Sequence, residues 1–218
     1  MKLMQQFGLP PDEIYRRSFA TVDALLPAHT WSPQERHIIR RIVHATGDPQ
    51  LALAVHFKSE SISAGIAAFH HHASIFTDVH MVAAGIQKQW CDALGCTIQV
   101  LIAQDGLADL AAKAQITRSA AAILQALPLL SGNVVVIGNA PTALLALLDA
   151  LDEGRCEPPA LIIGMPVGFI ATREAKDALW ERSYPAITIE GTRGGSPVAA
   201  ATVNALLDLA RQRLTPYG

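Results

Sequence analysis

The chain has 218 residues and a mass of 23.3 kDa, which at roughly 150 residues per domain predicts a single domain over residues 1–218. Half of the residues are hydrophobic and 17% are charged, which excludes intrinsic disorder; 17 Lys+Arg against 19 Asp+Glu, with no basic run, exclude a nucleic-acid footprint. Three cysteines without a C-x-x-C pair exclude a disulfide framework, and no segment reads as a secretory signal or a membrane span, so the expected location is the reducing cytoplasm. The apolar excess suits burial between two chains, and equally a large α/β core.

Along the chain, the first half reads as helical. Asp12 is placed to cap a helix through Ile14, Phe19, Val22 and Leu26. Ser32-Pro33-Gln34-Glu35 combines a capping serine, a proline at the first helical position and a glutamate three residues after the serine. That helix carries Ile38, Ile39, Ile42 and Val43, and should stop at Thr46-Gly47. From residue 74 on, short apolar runs at 74–77, 97–102, 133–137, 160–163 and 186–189 alternate with helical patterns at 107–127, 141–152, 173–181 and 197–214. Continuous apolar strands between helices predict an α/β fold: one mostly parallel, doubly wound sheet with helices on both faces.

Such sheets bind ligands beyond the carboxyl ends of their strands. Three loops should meet there: Gly138-Asn139-Ala140-Pro141-Thr142, Gly164-Met165-Pro166-Val167-Gly168 and Gly191 to Pro197. Small residues leading into helix starts favour an anion, although each loop alone reads equally well as a tight turn. None matches a nucleotide-binding fingerprint. His70-His71-His72 points three ways on a helix and lacks a Glu or Cys to complete a metal site, so end-of-helix histidines are expected and no metal is assigned. A serine hydrolase lacks its G-x-S-x-G elbow, and Ser196, before Pro197, reads as a helix cap.

His44, followed by Asp48, sits near the end of the helix from Pro33, where a cation suits the helix dipole. It reads as a C-capping residue or as a general acid. Arg118 stands at an expected helix start, where its fork and free N–H groups suit a carboxylate, and Arg193 lies in the last glycine-rich loop. Locally basic loops on a near-neutral chain suit a polycarboxylate ligand.

Several segments together carry a resemblance. They are Ile14-Tyr15-Arg16-Arg17-Ser18-Phe19, Ile42-Val43-His44-Ala45-Thr46-Gly47-Asp48, Thr77-Asp78-Val79, Ile116-Thr117-Arg118-Ser119, Ile137 through Leu144, Gly164 through Phe169, and Gly194-Gly195-Ser196. In this order and spacing the sequence resembles the precorrin-8X methylmutases of cobalamin biosynthesis over residues 12–210. The resemblance implies an isomerase that moves a methyl group between adjacent carbons of a contracted tetrapyrrole by a shift assisted by ring protonation. It implies that His44 is the proton donor and that Ser18 and Arg118 hold the substrate. By the same resemblance Arg17, Thr77, Asp78, Thr117, Asn139, Gly164, Val167, Gly194, Gly195 and Ser196 belong to the substrate site. Apolar walls for the ring are expected from Met165, Val167 and Phe169. No cofactor is implied, the partner is an anionic tetrapyrrole, and the family's homodimer fits the apolar excess. The rival reading is a non-catalytic corrinoid carrier, which needs the arginines and loops but no protonating imidazole.

Overall fold

The computed structural model describes residues 2–212. Its helices and strands are, in chain order, α1 (Leu3–Phe7), α2 (Pro11–Leu25), α3 (Pro33–Thr46), β1 (Val55–Phe57), α4 (Ser61–His70), β2 (Ile75–Thr77), α5 (His80–Gly85), α6 (Lys88–Ala93), β3 (Ile98–Val100), α7 (Leu107–Ala114), α8 (Arg118–Leu130), β4 (Val134–Ile137), α9 (Pro141–Asp152), β5 (Leu161–Gly164), α10 (Thr172–Glu181), β6 (Ala186–Ile189) and α11 (Ser196–Gln212). The strands form one sheet in the order β1-β6-β5-β4-β2-β3, with β2 to β6 parallel and β1 antiparallel on the β6 edge.

Strands β4, β5 and β6 are buried on both sides, which explains their apolar runs. Alternate residues serve opposite faces: Val134 and Val136 pack with α3, α4, α5, α6 and α11, whereas Val135 and Ile137 pack with α7, α8, α9 and α10. α11 is the central helix of the first face, with Val198, Val203, Leu206 and Leu207 almost fully buried. Each such side chain contributes about 1.5–3 kcal/mol by leaving water. Gly164 ends β5 because a Cβ there would lie 2.5 Å from Leu179 and 3.2 Å from Leu144; only hydrogen lets α9 and α10 close over the strand.

α3 starts at the expected capping box, with Ser32 Oγ accepting from Glu35 N–H and the Glu35 carboxylate accepting from Ser32 N–H. It stops at Gly47 in the left-handed region. Three expectations need correction. The first long helix begins at Pro11, with Asp12 in its first turn instead of capping it. The helix expected over 107–127 is two helices: Gln115 turns left-handed and Thr117 caps a fresh start, accepting from Ala120 N–H. Ser196 is the first residue of α11, and the carbonyl of Gly195 before it takes Ala199 N–H. The last expected helix reached residue 214, and its final two positions lie outside the described residues.

The chain switches sides between β2 and β4, adding β3 on one flank of β2 and β4 on the other, so the crevice beyond their carboxyl ends is the natural ligand position. β1 runs the other way, which brings its beginning, and the end of α3 before it, to the same edge.

Candidate active site at the carboxyl edge of the sheet

His44 lies in the last turn of α3, exposed, facing the antiparallel helix α2. Its Nδ1 is 2.8 Å from Ser18 Oγ, and its ring centre lies 5.0 Å from Phe19 and 6.1 Å from Tyr15. Three α2 residues therefore fix the imidazole, while Nε2 has no protein partner among the described residues. Phe19 is itself covered by the Arg40 guanidinium, 4.8 Å from its centre. Arg17 is engaged by the Glu13 carboxylate, which also takes Arg16 in a bidentate pair.

Asp48 does not reach His44. Its carboxylate accepts from Gln50 N–H and from the Arg193 guanidinium, at 2.9 Å each. That pair ties the end of α3 to the last glycine-rich loop. The loop is in turn zipped to its neighbour: Gly195 N–H donates to Met165 C=O at 2.9 Å and Gly168 N–H to Thr192 C=O at 3.1 Å. Gly194, at φ 150°, passes so close that a Cβ would stand 2.5 Å from the Met165 carbonyl oxygen. Ser196 is buried at the start of α11. Met165 is also fully buried, with the Thr202 hydroxyl on its sulfur, so it is core and not ring wall; Val167 and Phe169 are exposed.

Two expected site residues turn inward. Thr77 is buried in β2 and donates to Gln99 C=O. Asp78 is buried at the crevice itself, where its two carboxylate oxygens accept from the N–H groups of Gly138, Asn139 and Ala140 at 2.8–3.0 Å. The amides expected to receive an external anion are thus already occupied. Burial pushes the Asp78 carboxyl up from the ordinary aspartate range, and the backbone donors oppose that rise. Gly164 is also buried, and its role is the helix packing described above.

Thr117 and Thr142 share a 2.7 Å hydrogen bond that joins the starts of α8 and α9. Beside them is a cavity of about 430 Å³, lined by Ile116, Ala120, Leu145 and Asp149 among others. Arg118 and Asn139 flank these helix starts, both exposed, and neither side chain has a protein partner among the described residues. The edge therefore presents one oriented imidazole at the α2–α3 side and one free guanidinium at the α8–α9 side.

Residues 13–209 match the family model described as precorrin-8X methylmutase. The chain belongs to that family. It is 34% identical over 208 residues to the cobalt-precorrin-8 methylmutase of Priestia megaterium, covering 95% of this chain and 92% of the relative. It is 41% identical over 195 residues to the precorrin-8X methylmutase of Pseudomonas aeruginosa, covering 88% and 93%. A crystal structure of the Thermus thermophilus precorrin-8X methylmutase superposes with a TM-score of 0.85 at 37% identity, over 92% of this chain and 98% of that one. Membership makes the chain an isomerase of cobalamin biosynthesis.

The three consecutive histidines lie away from this edge. His70 Nε2 bonds to Ala210 C=O at 3.0 Å and His72 Nδ1 to Leu94 C=O at 2.7 Å, while His71 is exposed. Among the described residues no group of three or more His, Cys, Asp or Glu is placed to hold a metal ion, and no helix is long and apolar enough to cross a membrane. Sequence reading passed over Tyr15, Phe19 and Thr142 as site residues. The first two had a signal: Tyr15 stands three residues before Ser18 and four before Phe19, spacings that on a helix share a face.

Proposed function

We propose that this chain moves a ring methyl group to the adjacent carbon, converting precorrin-8X to hydrogenobyrinic acid or cobalt-precorrin-8 to cobyrinic acid. The observation that carries this reading is the Ser18–His44 hydrogen bond at the carboxyl edge. A cationic His44 donates its Nδ1–H to Ser18 Oγ, which leaves the Nε2 proton for the substrate ring. Protonation weakens the bond to the migrating methyl. After the shift the ring returns a proton to the imidazole, so substrate and product have the same composition, as an isomerisation requires. No nucleophile is needed; the protein supplies an acid and a mould.

The polycarboxylate periphery of the ring suits the Arg118 guanidinium, unpaired among the described residues, with the Asn139 side-chain amide beside it. Val167 and Gly194 to Ser196 form the facing wall. In this reading Ser18 orients the acid, Asp78 shapes the crevice, and neither need touch substrate. The enzyme works as a cytoplasmic homodimer whose subunits meet near this edge, a view supported by the exposed apolar side chains of Met81, Val167, Phe169 and Ile170.

A corrinoid carrier would need no oriented acid, and His44→Ala separates the two readings. The variant should keep its fold and co-elute with hydrogenobyrinic acid while turnover falls by about 100-fold or more. Turnover close to wild type would remove His44 from the reaction.

A further inference from the structure

α10 buries a lysine. Lys176 is 2% exposed and lies beside the core residues Ala175 and Leu179. Removing an ammonium from water costs stability unless an opposite charge or full hydrogen bonding compensates. No carboxylate forms an ion pair with it among the described residues. Its Nζ instead donates to one backbone group, the Arg193 carbonyl, at 2.8 Å. Arg173 and Asp177 are its charged neighbours on α10, and a small cavity brings His56 and Glu190 towards it from β1 and the end of β6. Burial lowers the amine to about 8.

The carbonyl it holds belongs to a glycine-rich turn. Gly191, Gly194 and Gly195 all have positive φ and carry no side chain to restrict the backbone, so the turn depends on contacts from its neighbours, among them the Lys176 amine. The same Arg193 reaches outward to Asp48, four residues beyond His44. One residue thus couples α10, the glycine-rich loop and the end of α3, and Lys176 fixes that residue from inside.

We propose that Lys176 is a positioning residue of the substrate site: its amine fixes the Arg193 turn and so sets Gly194 to Ser196 against the His44 end of α3. The assignment of these residues to a substrate site rests on the methylmutase reading; the tether does not. The test is Lys176→Met, which keeps the length of the side chain and removes the amine.

Two readouts are needed. Hydrogen exchange without ligand follows the Gly168 and Gly195 amides, which close the two loops on each other. They should exchange about ten-fold faster or more in the variant, with β4 and β5 unchanged and the unfolding midpoint equal or higher. Hydrogenobyrinic acid should bind about ten-fold more weakly, with KM raised more than kcat is lowered. Unchanged exchange overturns the proposal whatever the ligand does. Faster exchange with unaltered corrinoid affinity also overturns it, because the tether would then not serve the site. If the methionine variant does not fold, Lys176→Gln is put through the same readouts, and failure of both to fold makes the lysine a core strut and ends the proposal. Failure of the wild type to bind either corrinoid counts against the methylmutase reading alone, and the exchange data still decide the tether.

Discussion

Ser18 and His44 are 26 positions apart in sequence and 2.8 Å apart in the fold. Both were visible beforehand as motif residues, but their contact depends on how α2 lies on α3, which no local pattern encodes. The bond changes what Ser18 is expected to do. A residue that orients an acid lowers kcat when removed and leaves substrate binding alone, whereas one that grips substrate raises KM. Ser18→Ala should therefore lower kcat about 5–10-fold, which is one hydrogen bond of about 1 kcal/mol, with KM within about two-fold. Steady-state kinetics decide it: a raised KM at full kcat would return Ser18 to the substrate contacts. Asp78 teaches the same lesson from the other side. Its place after β2 was legible and its direction was not, because a carboxylate can face solvent or fold back onto the amides of the next loop, and only the β2–β4 pairing brings those amides within reach.

Among elements, α3 was the most legible, since capping box, apolar stripe and terminal glycine all agree. Strands β4, β5 and β6 followed from apolar runs between helices. β1 was missed because His56 interrupts its apolar run, and α4 because its outer stripe of Ser63, Ala64 and Ala67 carries no charge to mark the period. The 107–127 pattern concealed a break because alanine-rich helices flank it and the only signal was the Thr117 cap. What the helix patterns could not show is how α3 and α11 are locked. Asp208 on α11 meets His37 at 3.1 Å and Arg41 at 2.8 Å on α3, and these two partners pull its carboxyl down to about 2. A depressed carboxyl stabilises the fold above its unfolded value, near 4, and that contribution is lost as pH falls from about 4 to about 2. Asp208→Asn should lower stability by about 2 kcal/mol at neutral pH, and the gap to wild type should close over that acid window. Denaturant unfolding at a series of pH values measures it, and a gap that stays constant down to pH 2 would refute the ion-pair account.

At the scale of the whole molecule, a mostly parallel sheet sends its β-to-α loops to one edge, and that edge carries exposed large apolar side chains. Phe169 is 91% exposed and Ile170 85%, at the tip of the loop after β5, with Met81 at the start of α5. Large apolar side chains gathered on one edge are characteristic of a surface that another chain covers. In a twofold dimer the same patch is used from both sides, so a single substitution is introduced twice. Burying a side chain of this size is worth about 1.5–3 kcal/mol, so two copies of a charge in its place should weaken association by about 100-fold or more. If the proposed dimer forms, Phe169→Glu should sediment as a monomer at concentrations where the wild type sediments as two chains. Because the tip lies outside both cores, its unfolding profile as a monomer should show no loss of internal packing. Turnover should fall with dimer content if the subunits complete each other's site, and mixing with wild-type chains should restore it in part. A wild type that sediments as a monomer throughout would dispose of the dimer, and the apolar tip would then need the substrate ring itself as its cover.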